Sequence, residues 1–114
     1  MAKPIATVTS KLDPVGIAGR NNPNPPGMVV IGAKTVYANG LPVALLGSKC
    51  NYHGNPNNPK APGFNPLCAS SFVTKGSPTV YVEGVPVARL GDVTLCGHFI
   101  LGPSAAPNII VGPD

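Results

Sequence analysis

Charged and aromatic side chains are scarce in this sequence, and it has no long apolar run. Only 11% of the 114 residues are charged, 5% are aromatic and none is tryptophan. The lysines and arginines are scattered rather than clustered among aromatic residues, which argues against nucleic-acid binding. No segment reaches the roughly eighteen apolar residues of a membrane-spanning helix, and the N-terminus lacks the apolar core of a signal peptide. We therefore expect a protein that is made in the cytoplasm without a signal peptide.

Cysteine and helix-forming stretches are also limited. Three cysteines, an odd number, argue against a disulfide framework and leave metal binding, buried thiols or one bridge as alternatives. No proline-free window carries an apolar period of about 3.6 residues over three turns, so little or no helix is expected. Instead, 15 prolines and 14 glycines bound short apolar runs, and 43% of residues are hydrophobic. This composition favours one all-β domain, residues 1–114, over a disordered chain.

An internal repeat predicts the architecture of that domain. Residues 32–48 match residues 76–92 without a gap, and a third, circularly permuted copy is formed by residues 107–114 together with 3–10. In each complete copy two β-branched runs flank a tight-turn dipeptide, Asn39-Gly40 or Glu83-Gly84. The repeat therefore predicts three hairpins around one axis, a small cone or prism with turns at one end and connecting loops at the other.

Every cysteine and histidine falls in two of the three connecting loops. These five donors are Cys50, His53, Cys68, Cys96 and His98. A structural zinc ion needs four such ligands, so the sequence predicts a metal site where the loops converge, and Cys96 and His98 can point the same way. A Cys50–Cys68 disulfide closing the long loop is the main alternative. No acid accompanies the donors as a general base and no third group orients a Cys96–His98 pair, which argues against an enzyme.

The repeats also carry the motifs of a known family. The segments Gly76-Ser-Pro-Thr-Val, Gly84-Val-Pro-Val-Ala-Arg-Leu-Gly-Asp and Thr94-Leu-Cys-Gly, with a looser copy at residues 40–47, resemble the PAAR-repeat family. That family forms the sharp tips of the spikes of type VI secretion systems and contractile phage tails. The resemblance implies a cone of β-hairpins whose apex binds structural zinc and whose base docks, one tip per trimer, on a trimeric β-helical spike protein.

The resemblance also implies site residues. The metal ligands are expected to be His53, Cys68, Cys96 and His98, with Cys50 in reserve, although the family typically uses three histidines and one cysteine. The face expected to bind the spike includes Asn39, Gly40, Glu83 and Gly84. The implied function is a structural tip for membrane puncture, delivered extracellularly, with transient contact with the target membrane. A small zinc-dependent enzyme and an adaptor that carries a separate effector are the alternatives.

Overall fold

The structure is built of short β-strands. A computed structural model of the chain describes residues 3–12, 27–51, 70–104, 106 and 108–112. Its strands are β1 (Lys3–Pro4), β2 (Lys11–Leu12), β3 (Tyr37–Ala38), β4 (Leu41–Pro42), β5 (Tyr81–Val82), β6 (Val85–Pro86), β7 (Ile100–Gly102) and β8 (Ile110–Val111). Those residues form no α-helix, and none of their segments is a helix that could span a membrane. The predicted all-β fold with little or no helix is confirmed.

Two hairpin turns lie where the repeat predicts them. The turn between β3 and β4 has φ values of 49° at Asn39 and 85° at Gly40, and the turn between β5 and β6 has 55° at Glu83 and 77° at Gly84. Positive φ at both central residues is the geometry of a type I′ turn, whose twist matches that of antiparallel strands. No atom lies within 4 Å of a Cβ added at Gly84, so glycine is needed there for its φ angle rather than for space.

The two ends of the chain pair with each other in the same way. β1 is antiparallel to β8, and Pro4 faces Ile110 just as Pro42 faces Tyr37 in the first hairpin. These prolines end their two-residue strands. The carbonyl group of each proline accepts a hydrogen bond from another unit, as in Val8 N to Pro42 O at 2.9 Å. Each proline therefore links neighbouring units through its carbonyl, although it has no N–H to donate.

A closed ring of backbone hydrogen bonds joins the three units. The amide of Ala6 donates to Ala88 O at 3.0 Å, Ala88 donates to Ala44 O at 2.9 Å, and Ala44 donates back to Ala6 O at 2.9 Å. All three alanines are fully buried. Their small side chains let three backbones approach one axis, so the ring defines a pseudo-threefold axis through the molecule.

The core lies along this axis in two layers. The layer nearer the turns consists of Ile5, Ala33, Ala38, Val43, Leu45, Val87, Ala106 and Val111. The layer nearer the loops consists of Ala6, Leu12, Val29, Ala44, Cys50, Val73, Ala88 and Ile100. Each layer draws residues from all three units, so no unit can bury its apolar side chains alone.

A tight turn ends each unit on the loop side of the alanine ring. In each, a side chain accepts a hydrogen bond from the backbone amide three residues earlier; the pairs are Thr7–Ser10, Leu45–Ser48 and Arg89–Asp92. Beyond these turns, toward the loops, each unit forms an equivalent antiparallel residue pair with a neighbouring segment. Leu12 of β2 pairs with Ile100 of β7, and isolated bridges join Val29 to Cys50 and Val73 to Thr94.

Candidate metal centre and docking face

A compact turn holds two of the predicted metal ligands. The amide of Thr94 donates to His98 O at 2.9 Å and its hydroxyl to the same oxygen at 2.8 Å, while Gly97 N donates to Thr94 O at 2.9 Å. Gly97 adopts a φ of 90°, which lets the chain reverse within three residues. Cys96 and His98, only 6% and 4% exposed, are therefore held on either side of one glycine at the loop end.

Cys96 is covalently bound in this structure. It forms a disulfide whose partner lies outside the described residues, and its backbone amide donates to Ser71 Oγ at 3.3 Å. A disulfide sulfur carries no thiolate, which is the form that binds a metal. Cys96 can therefore be a zinc ligand only after the bridge is reduced.

Cys50 occupies a different environment from Cys96. It lies in the core layer near the loops, where its amide donates to Ser71 O at 3.0 Å, and it is a free thiol. Burial raises the pKa of the Cys50 thiol to about 12. The alternative of a Cys50–Cys68 disulfide is therefore wrong for this structure, because Cys50 is packed among aliphatic side chains one layer inside the connecting loops.

The other predicted ligands, His53 and Cys68, lie outside the described residues. Within the described ranges no three His, Cys, Asp or Glu side chains cluster closely enough to hold an ion. Cys96 and His98 supply one sulfur and one imidazole donor, a combination that suits Zn²⁺ once the sulfur is reduced. The donor chemistry thus fits zinc in the reduced protein, with two of its four predicted ligands on the described turn.

The predicted docking face lies at the hairpin turns. Glu83 reaches from its turn to the first repeat, where its carboxylate accepts bonds from Thr35 Oγ1 at 2.6 Å, Thr35 N at 2.7 Å and Lys34 N at 3.3 Å. The side-chain and backbone hydrogen bonds from Thr35, and then the backbone hydrogen bond from Lys34, lower the pKa of Glu83. This exposed carboxylate therefore ties two hairpins together at the face where Asn39, Gly40 and Gly84 also lie.

Sequence reasoning missed one buried ion pair. Arg89 is fully buried and its guanidinium donates to Asp92, from Nε to Oδ2 at 3.1 Å and from one terminal nitrogen to Oδ1 at 2.9 Å. The signal was present in the repeat, since Arg89 and Asp92 occupy the positions of Leu45 and Ser48, where buried groups would be expected. With Asp92 in this pair and Glu83 bonded to Thr35, both described acids make contacts within the fold.

Comparison with known proteins agrees with this architecture. No curated protein matches the sequence significantly. The family profile of the PAAR motif matches residues 19–101, which is most of the chain and includes both complete repeats and the Thr94–His98 turn. The chain therefore belongs to the PAAR-motif family, and is a spike-tip protein of the kind found in type VI secretion systems and phage tails.

Proposed function

We propose that this protein caps and sharpens the trimeric β-helical spike of a contractile machine. The capped spike would puncture a membrane, and the protein would be delivered outside the cell together with the spike. The observation that carries the proposal is the closed ring of Ala6, Ala44 and Ala88, which gives one chain a pseudo-threefold axis. A threefold partner can meet such a body with each subunit in a similar place. A role of this kind needs a rigid surface and no catalytic group.

The face proposed to dock is the turn end, with Asn39, Gly40, Glu83 and Gly84. Exposed apolar side chains adjoin these turns, among them Tyr81 at 57% exposure. The Glu83 carboxylate, bonded within the chain, fixes the shape of this face, and its apolar surroundings are free to be buried against a partner.

Mixing the protein with a purified spike trimer tests the docking. Light scattering after size-exclusion chromatography should give one tip per trimer. Tyr81→Glu should weaken the complex at least tenfold, because it adds a charge beside the docking turn. Leu101→Glu is the matched control, since Leu101 is similarly exposed but belongs to β7, on the loop side of the alanine ring and away from the hairpin turns. No complex at any concentration, or equal weakening by both variants, would contradict the docking.

The proposed metal ligands are His53, Cys68, Cys96 and His98 of the reduced protein. A bound zinc ion would cross-link the connecting loops and so add stability that a core of this size does not supply. Cys50 is left out because its buried thiol, with its raised pKa, stays protonated.

Metal analysis under reducing conditions tests this assignment. The wild-type protein should hold one zinc per chain, and His98→Ala should lose it and melt at a lower temperature. Cys50→Ala is the control and should keep the metal, because Cys50 lies in the core. Full zinc occupancy in His98→Ala, or loss of zinc in Cys50→Ala, would refute the ligand set.

A further inference from the structure

The sides of the molecule, between turns and loops, carry exposed cations but no described acid. Lys11, Lys49 and Lys75 are all exposed there. The two acids of the described ranges lie elsewhere: Asp92 is buried in its ion pair, and Glu83 lies in a hairpin turn. The described sides therefore present positive charge without neighbouring anions.

Apolar side chains stand directly beside two of these lysines, Lys11 and Lys49. At three equivalent places around the axis, an antiparallel bridge pairs a residue at the surface with a large apolar residue of the neighbouring segment. We call these the girdle pairs; they are Lys11–Met28, Lys49–Phe72 and Val93–Phe99. Residues opposite each other on antiparallel strands project their side chains to the same face. Phe72 and Phe99 are each 37% exposed. In the Lys49–Phe72 pair, an aromatic ring and an ammonium group therefore lie next to each other on the surface.

We infer that the girdle pairs bind an anionic phospholipid bilayer. An ammonium group is attracted to the negative headgroups, while phenylalanine and methionine side chains enter the boundary between headgroups and acyl chains. Lysine together with phenylalanine or leucine is the combination found on amphipathic surfaces that lie at that boundary. Leu95, which is exposed and whose amide donates to Phe72 O, enlarges the apolar part of the same surface.

The arrangement around the axis favours a bilayer over a macromolecule that contacts one side. A protein partner with a flat face would need the apolar pairs gathered into one patch, whereas the three pairs lie on three sides of the axis. A nucleic acid would need clustered cations, whereas Lys11 and Lys49 lie in separate units. A lipid layer can surround a body and meet all three pairs together. The inference does not depend on docking to a spike, because the turns take no part in it.

Vesicle flotation of the isolated protein tests the inference. Vesicles of phosphatidylglycerol mixed with phosphatidylcholine should bind the protein, and vesicles of phosphatidylcholine alone should bind it at least tenfold more weakly. Each lysine near an anionic surface is worth about a fivefold change in binding, so Lys49→Gln and Lys11→Gln should each weaken it about fivefold. Phe72→Ser should weaken binding to the mixed vesicles as well, because it removes the apolar contact.

Lys34→Gln is the matched control. It removes the same charge from an exposed lysine in the segment before β3, where only the backbone amide of Lys34 bonds to Glu83. It should change vesicle binding less than twofold, and thermal melting should show that every variant is folded. Equal binding to both kinds of vesicle, binding to neither, or equal losses in Lys34→Gln and Lys49→Gln would overturn the inference. Binding to duplex DNA without binding to anionic vesicles would assign the girdle to a nucleic acid instead, and would also overturn it.

Discussion

The Arg89–Asp92 pair allows a quantitative test of a buried ion pair in one of three equivalent turns. Its carboxylate accepts three hydrogen bonds from Arg89, one from the backbone amide at 2.8 Å and two from the guanidinium. Arg89→Leu would remove the guanidinium and leave a carboxylate with no exposure to water. The equivalent unit already contains the apolar version of this turn, in which Leu45 N donates to Ser48 Oγ at 2.8 Å.

These contacts set the expected magnitudes. Removing one partner of a buried ion pair costs about 3–5 kcal/mol, because the other charge is left buried and unpaired. Arg89→Leu and Asp92→Ser should each lower the free energy of unfolding by that amount, a large part of the roughly 5–15 kcal/mol of a typical domain. The double variant copies the Leu45–Ser48 turn and should recover to within about 2 kcal/mol of the wild type, since no buried charge remains.

Urea unfolding of the four proteins under the same reducing conditions measures this cycle. Far-ultraviolet circular dichroism is the suitable signal, because the chain has no tryptophan. The sum of the two single-variant losses in unfolding free energy should exceed the loss in the double variant by a coupling energy of several kcal/mol. Additive losses would refute the reasoning, since they would show that Arg89 and Asp92 contribute independently of each other.

Three further predictions concern the turns and the free thiol. The lowered pKa of Glu83 implies stability that is present above its ordinary value of 4.5 and lost as pH falls through the lowered one, so below about pH 4.5 the melting temperature should drop more steeply in the wild type than in Glu83→Gln. Equal slopes would count against the Thr35 contact. Gly84→Ala should cost about 1–2 kcal/mol in urea unfolding, because the residue keeps a φ of 77° in open space; an unchanged midpoint would refute the turn geometry. Cys50, buried and with a pKa raised to about 12, should react with Ellman's reagent only after urea is added, and rapid reaction of the folded protein would contradict its place in the core.

The candidate site was accessible from the sequence only in part. Clustering of cysteine and histidine in two loops pointed to the loop end, and the structure places Cys96 and His98 there on one turn. Spacing does not distinguish Cys50 from Cys96, since both follow a repeat by a few residues. Their environments differ because Cys50 is one step closer to the alanine ring, in the position of Leu12, while Cys96 lies beyond the equivalent Thr94.

By itself the sequence determined the all-β class and the two hairpin turns, because these depend on neighbouring residues. Asn-Gly and Glu-Gly favour the positive φ of a tight turn, and frequent proline and glycine keep the strands short. Only the tertiary structure decided which polar groups are buried and what they contact. Arg89 is the clearest case, because the sequence does not show whether its guanidinium reaches water or is buried against Asp92. The hydrogen bonds that Thr35 donates to Glu83 join residues in different repeats, and such contacts depend on how the three units are arranged around their common axis.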